Sequence, residues 1–486
     1  MNSNKEKIIS AKVAIIPFVV LLFVLIFVIK NFGDSALEGA SQVSLLIASA
    51  VCVAISMIFY KIPWTQLEET LVSNIKSVGS AVIMLLLIGG ISSTWMLSGV
   101  VPTLIYYGLQ IINPKIFLFA SCIISALVSL LVGSSWTTIA TIGIALVGIG
   151  NSLGFESYWI AGAVISGAYF GDKISPLSDT TILASSSAGA ELFPHIRYML
   201  VTTIPSFVIS LIIFLVAGFA KSAAGADSST DFLFALTNTF TISPWLLTVP
   251  LLTGVLIAFK LPALITLFAS ILFASIAMII SQPQIIATIT SSSDLSVNTT
   301  AVAVFKSLYA HIDIETNNTM LNTLVATKGM SGMLNTIWLI ICAMCFGGVM
   351  VGSGMIKSIT TMIIRYVKGR AAIVSSTVFT GLFCNICLAD QYLSIILTNS
   401  LFKDFYEKKG YEARLLSRST EDSATVTSVI IPWNSCGVTQ ATILNVTTLA
   451  YLPYCFFNII SPIMSIIIAI IGYRITPPPP EQDSKQ

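Results

Sequence analysis

Apolar runs recur along the whole chain, and they come in two kinds. Unbroken runs cover 12–30, 41–60, 77–97, 115–132, 197–219, 244–259, 262–281, 334–352 and 450–472. About 20 apolar residues cross a hydrocarbon core about 30 Å thick, so each run predicts a transmembrane helix. Runs at 98–112, 133–150, 158–190, 371–403 and 422–448 are apolar but repeatedly interrupted, and they predict hairpins or split helices. Together they predict an all-α, polytopic transmembrane bundle of about 11–13 membrane elements.

Polar punctuation divides the chain. Charged residues gather at 61–76 and 403–418, and Arg365, Lys368 and Arg370 make a basic loop. The longest polar stretch, 282–333, predicts a linker between an N-terminal half (1–281) and a C-terminal half (334–472). Residues 473–486, opening on four prolines, predict a disordered tail. The first run, Val13–Ile29, is long for a signal peptide and no A-x-A site follows it, so it reads as a retained helix. Lys5, Lys7 and Lys12 before it place the N-terminus in the cytoplasm.

Composition narrows the class. Of 486 residues, 55% are hydrophobic and 9% charged, against about 25% charged in a soluble domain. Too few polar side chains exist to clothe a soluble surface, so the lipid bilayer is the predicted partner. A net charge of +2 gives no footprint for nucleic acid. Two CxxC pairs, Cys342/Cys345 and Cys384/Cys387, lie in apolar segments, and His195 and His311 are the two histidines. These pairs read as single helical turns of small buried residues. The glycines at 347, 348, 352 and 354 read as close helix packing. No GxxxxGK, HExxH or GxSxG occurs, which points away from an enzyme and from a bound cofactor.

The stretch FGDKISPLSDTT, Phe170–Thr181, carries the chemistry. Twelve residues, Trp159–Phe170, precede it, about 18 Å of helix, so its charges begin partway through a span. Pro176 cannot donate a hydrogen bond to the carbonyl of Asp172. Ser175 before Pro176 matches a helix start, with serine as cap. The expectation is a helix that ends near Gly171, unwinds and restarts at Ser175. Such a break gathers the carboxylates of Asp172 and Asp179, the hydroxyls of Ser175, Ser178, Thr180 and Thr181, and freed carbonyls. These are hard ligands suited to small cations, and a carboxylate away from water can instead hold a proton. Lys173 either neutralises one aspartate or snorkels to the interface. The alternative is an interfacial loop with Asp172 and Lys173 in water.

A second charged break, STEDSATVTSVIIPWNS (419–435), has two readings. Ser419 can cap a helix whose first turn holds Glu421 and Asp422, or these acids can serve a site. Pro432 frees the carbonyl of Ser428, and Asn434 follows. Asp390 stands alone in an apolar segment, as an intramembrane site candidate or a structural or surface residue. In GSSWTT (133–138) glycine and hydroxyls permit a tight hairpin tip, with Trp136 over a pocket or at the lipid interface. Broken segments thus fall at corresponding places in two halves, the best sequence pointer to a transporter's binding site.

Four blocks together resemble the NhaC family of bacterial sodium/proton antiporters: GSSWTTIATIGIALVGIG (133–150), SGAYFGDKISPLSDTT (166–181), LADQYLSIIL (388–397) and LSRSTEDSATVTSVIIPWNSCG (416–437). Their order spans most of 130–450. Ile182 departs from the pattern, where many members carry asparagine. The resemblance implies an inner-membrane secondary transporter exchanging Na+ for H+. It implies the ion-transporter fold: two inverted repeats, each with a re-entrant hairpin (near 133–150 and 385–403) and an interrupted helix, often as a homodimer. Asp172 and Asp179 would hold the Na+ or proton, with Ser178, Thr180, Ser135 and Thr137 adding neutral oxygens. Asp390, Asp422 and Asn434 would serve from the second repeat. Some relatives exchange small organic anions such as malate and lactate, which is the alternative reading. An organic-anion exchanger predicts half-helix N-termini aimed at a carboxylate, and Lys173 would suit it.

Overall fold

A computed structural model describes residues 9–32, 39–221, 226–259, 261–292, 294–316, 318–364 and 369–475. Lys5, Lys7, Arg365, Lys368 and the tail from 476 lie outside them. The described chain is helical nearly throughout, with an isolated bridge between Ile312 and Thr327. Eight of its helices are long and apolar enough to cross a membrane, or ten if two bent pairs count as spans. Large apolar side chains such as Phe23, Phe219, Ile280 and Ile471 are exposed on their outer faces. The protein is a multi-pass membrane protein.

Two polar stretches turn out helical. Residues 61–76 were expected to be punctuation, yet Trp64–Ser77 is a helix, and with Gly79–Leu97 it forms one rod of 34 residues. Leu67, Leu71 and Ile75 recur every four residues and turn inward, leaving Glu68, Glu69 and Lys76 exposed. This helix packs on Leu334–Gly352, where a Cβ on Gly348 would press against the backbone of Leu71. The stretch 282–333 holds the helices Pro283–Thr290, Val297–Tyr309 and Thr319–Val325, and the second packs on Gly79–Leu97. All four CxxC cysteines sit on helices.

Ten further helices carry the breaks. The first five are α1 (Phe117–Val132), α2 (135–152), α3 (Ser157–Ile174), α4 (Asp179–Ala188) and α5 (Leu192–Lys221). The second five are α6 (Gly369–Leu388), α7 (Gln391–Lys408), α8 (413–425), α9 (Ser435–Leu444) and α10 (Phe456–Ile471). Each set repeats the same local events. α1 and α6 end in a left-handed residue, Gly133 (φ 70°) and Ala389 (φ 56°). An extended N-cap follows, Ser134 and Asp390, and the chain turns back as α2 and α7.

The interrupted helices match as closely. Residues before proline are pushed out of the helical region by the ring. Accordingly Ser175 (φ −77°, ψ 129°) and Ile431 (φ −103°, ψ 117°) are extended. Each break is then one tetrapeptide, Ser175-Pro176-Leu177-Ser178 and Ile431-Pro432-Trp433-Asn434, whose last residue caps the next helix. Both restarted helices are ten residues long and stop at a left-handed residue, Gly189 and Asn445. This corrects the expected restart. The pre-proline constraint acts on Ser175 itself, so α3 runs on to Ile174 and Ser178 is the cap.

Candidate functional site

Asp172 is placed by the packing of α3 on α1. Gly167 and Gly171 face α1, where a Cβ on either would collide with the backbone carbonyls of Cys122 and Ala126. That close approach brings the last turn of α3 to the hairpin tip. There Asp172 is buried, and its Oδ2 accepts from the backbone N–H of Ser135 at 2.9 Å and from Ser135 Oγ at 2.7 Å. These donors head α2, so the carboxylate meets the positive end of a helix. Ser178 and Thr180 are buried, and their hydroxyls pair at 2.9 Å. Thr137 is buried but turned to the tip, its hydroxyl 3.1 Å from Ser134 Oγ. Asp179 is the first residue of α4 and is exposed, within electrostatic range of Asp172.

The carbonyls expected to be free are taken. That of Asp172 accepts from Ser175 N–H at 3.1 Å, and that of Lys173 from Thr181 Oγ1 at 3.0 Å. That of Ser428 accepts from Ile431 N–H at 3.4 Å. The side-chain oxygens at the first break are those of the Asp172 carboxylate and the hydroxyls of Ser178 and Thr180.

In the second set Asp390 caps α7, accepting from Leu393 N–H at 2.9 Å and from Ser435 Oγ at 3.3 Å. Asn434 caps α9 through Cys436 N–H at 3.1 Å, and its amide donates to the carbonyl of Asn385 at 3.1 Å. Asp390 and Asn434 thus hold the second hairpin tip against the second break.

Asp422 does something the local sequence does not announce. It forms a buried ion pair with Lys173 of α3. The same oxygen accepts from Thr202 Oγ1 of α5 at 3.0 Å and Ser461 Oγ of α10 at 3.3 Å. Lys173 also donates to Ser461 Oγ at 3.1 Å. Of the two fates open to Lys173, neutralising an aspartate is the one observed, and its partner comes from the other set of helices. Arg418, also buried, lies 3.9 Å from the second oxygen of Asp422 and 4.6 Å from the ring centre of Tyr198. A guanidinium over an aromatic face is partly compensated by the ring's quadrupole.

Glu421 and Asp422 are not in a first turn capped by Ser419. Ser419 lies inside α8, its hydroxyl bonded back to the carbonyl of Leu415 at 2.7 Å. Residues Glu421–Thr425 form a π-helical turn, a feature that recurs at functional sites. Glu421 is fully buried, and neither carboxylate oxygen has a hydrogen-bond partner among the described residues. Its proximity to Thr425 comes from the same turn. Arg418 joins this candidate site without any signal in the sequence, whereas Glu421 and Lys173 were open there, as a cap-turn or site acid and as an aspartate's partner.

Among the described residues, the buried Asp, Glu, Lys and Arg side chains are Asp172, Lys173, Asp390, Arg418, Glu421 and Asp422. Asp172 and Lys173 lie in the last turn of α3, Asp390 at the second hairpin tip, and Arg418, Glu421 and Asp422 on α8. Residues 2–199 and 167–473 match the Na+/H+ antiporter family.

The chain belongs to the Na+/H+ antiporter family.

Several antiporters resemble it over most of their length. It is 35% identical to the Na(+)/H(+) antiporter NhaC of Alkalihalophilus pseudofirmus, over 87% of this chain and 90% of that one. It is 35% identical to the Malate-2H(+)/Na(+)-lactate antiporter of Bacillus subtilis, over 95% and 94%. It is 32% identical to the Arginine/ornithine antiporter ArcD of Halobacterium salinarum, over 92% and 90%. The names of these relatives cover inorganic and organic cargo.

Proposed function

We propose that this chain exchanges Na+ for H+ across the bacterial inner membrane, with the exchange centred on the two breaks. The reading rests on one observation, the imbalance of buried charge. Four carboxyl groups, those of Asp172, Asp390, Glu421 and Asp422, are buried with two cationic side chains, Lys173 and Arg418. Uncompensated buried charge costs several kcal/mol per ion, so the cluster calls for an added cation or proton. An organic anion needs the opposite, a cation free to meet it. Lys173 is paired to Asp422, and the charge of Arg418 is met by the second oxygen of that carboxylate at 3.9 Å and by the ring of Tyr198, although its nitrogens make no hydrogen bond among the described residues. Na+ suits the first break, where Asp172, Ser135 and Ser178 offer hard oxygen donors. Homologues named for Na+/H+ exchange support the same cargo.

The experiment is proton flux in proteoliposomes carrying a pH-sensitive dye, with NaCl, KCl or malate added in turn. Na+ alone should collapse a preformed pH gradient. A response that requires malate would replace this reading with organic-anion exchange.

A further inference from the structure

We infer that Glu421 is the carboxyl that takes the proton when Na+ leaves, a role separate from that of Asp172 in holding the cation. The inference rests on the Na+/H+ reading above and deepens it.

The four buried carboxyls are not equivalent. Asp390 caps α7, and its charge is met by helix N–H groups. Asp422 is met by Lys173, Thr202 and Ser461, with Arg418 beyond. Asp172 is met by two donors from Ser135. Glu421 is fully buried and has no hydrogen-bond partner among the described residues. A bare carboxylate in that setting is the least tolerable charge in the cluster, and a proton removes the charge outright.

The surroundings set how many positive charges fit. Lys173 and Asp172 of α3, and the adjacent Asp422, act on Glu421 electrostatically. α6, α7, α10, α4 and the rest of α8 pack on its turn. From α8 comes Arg418, near Asp422. Asn385 of α6 donates to the carbonyl of Ala424 at 2.6 Å, Asn458 of α10 donates to that of Val426 at 2.9 Å, and the acid at the head of α4, Asp179, is exposed. Asp172 and Asp390 each meet helix N–H groups and Asp422 meets Lys173, which leaves Glu421 as the carboxyl that no hydrogen-bond donor offsets. A proton on Glu421 removes its charge, and Na+ at Asp172 offsets it. In the exchange, the O–H bond of Glu421 breaks, its electron pair stays on the carboxylate, and the proton leaves to water as Na+ arrives. The reverse occurs on the other side.

The test is infrared difference spectroscopy of the full chain in nanodiscs, stepping pH without sodium. Wild type should show a carboxylic-acid carbonyl band that titrates. Glu421→Gln should lack it and Asp172→Asn should keep it, while Glu421→Asp, which retains a carboxyl, should show a shifted band. Thermal unfolding of each variant confirms that it is folded. A band that survives in Glu421→Gln, or that vanishes in Asp172→Asn instead, overturns the assignment. In proteoliposomes Glu421→Gln should lose Na+-driven proton flux to the liposome background, and full flux would also overturn it. If wild type itself shows no Na+-driven flux, the Na+/H+ reading fails. The infrared result then still reports whether Glu421 is the protonated group.

Discussion

The two hairpin tips are built alike and charged differently. In the first, the tip residues are Gly133 and Ser134, and the carboxylate comes from the interrupted helix as Asp172. In the second, the tip itself carries the carboxylate, Asp390, and the interrupted helix replies with a hydroxyl, Ser435. Backbone events are shared to the residue, while the acid has changed sides. Asp390 is committed to capping its own helix. Asp172 caps nothing of its own and reaches across to a neighbour's first turn, with Ser178 near it. On the reading proposed above, the first tip binds and the second holds shape.

The strongest way to break that comparison is to cut what joins the two sets. Lys173→Met leaves Asp422 buried without its partner, which costs about 3–5 kcal/mol. We expect a large fall in the unfolding temperature and loss of flux. The double variant Lys173→Met/Asp422→Leu should regain much of the stability, since it removes both charges. Next comes Asp172→Asn against Asp390→Asn. Losing a charged hydrogen-bond partner is worth about 1.5–3 kcal/mol, roughly 10–100-fold in affinity. For Asp172→Asn that loss should appear in Na+ binding measured by calorimetry, with little change in unfolding. For Asp390→Asn it should appear in unfolding more than in binding, and equal effects on binding would abolish the distinction. The smallest effect is at the caps. Ser178→Ala and Asn434→Ala should each cost about 1 kcal/mol, read as matched shifts in thermal unfolding. A much larger shift at one would mean that its break does more than restart a helix.

Much of this was legible in the chain. Pro176 and Pro432 mark both breaks, Gly133 and Asp390 mark both tips, and the hydroxyls around Asp172 announce its surroundings. The restart at Ser178 was not, because Ser175-Pro176 fits a cap signature and only the backbone shows which constraint prevails. The Lys173–Asp422 pair joins residues 249 apart, and no local spacing encodes such a partner. Glu421 hid behind a capping pattern, since acids two and three residues after Ser419 read as a first turn. Its burial, unlike its identity, is a property of the helices packed around it. The exposure of Asp179 was hidden for the same reason, as a carboxylate one residue into a helix reads alike whether it faces protein or water.

One feature of the packing bears on how the molecule is made. α4 lies against α7 and α8, and α9 lies against α2, so each set's restarted helix is seated on the other set's hairpin. During synthesis the first hairpin and α4 leave the ribosome more than 180 residues before their partners do. Until residues 413–444 emerge, Lys173 has no Asp422 and α2 has no α9. The first half must therefore wait in the membrane with its buried charge cluster unfinished, and the cluster closes only when nearly the whole chain has been made.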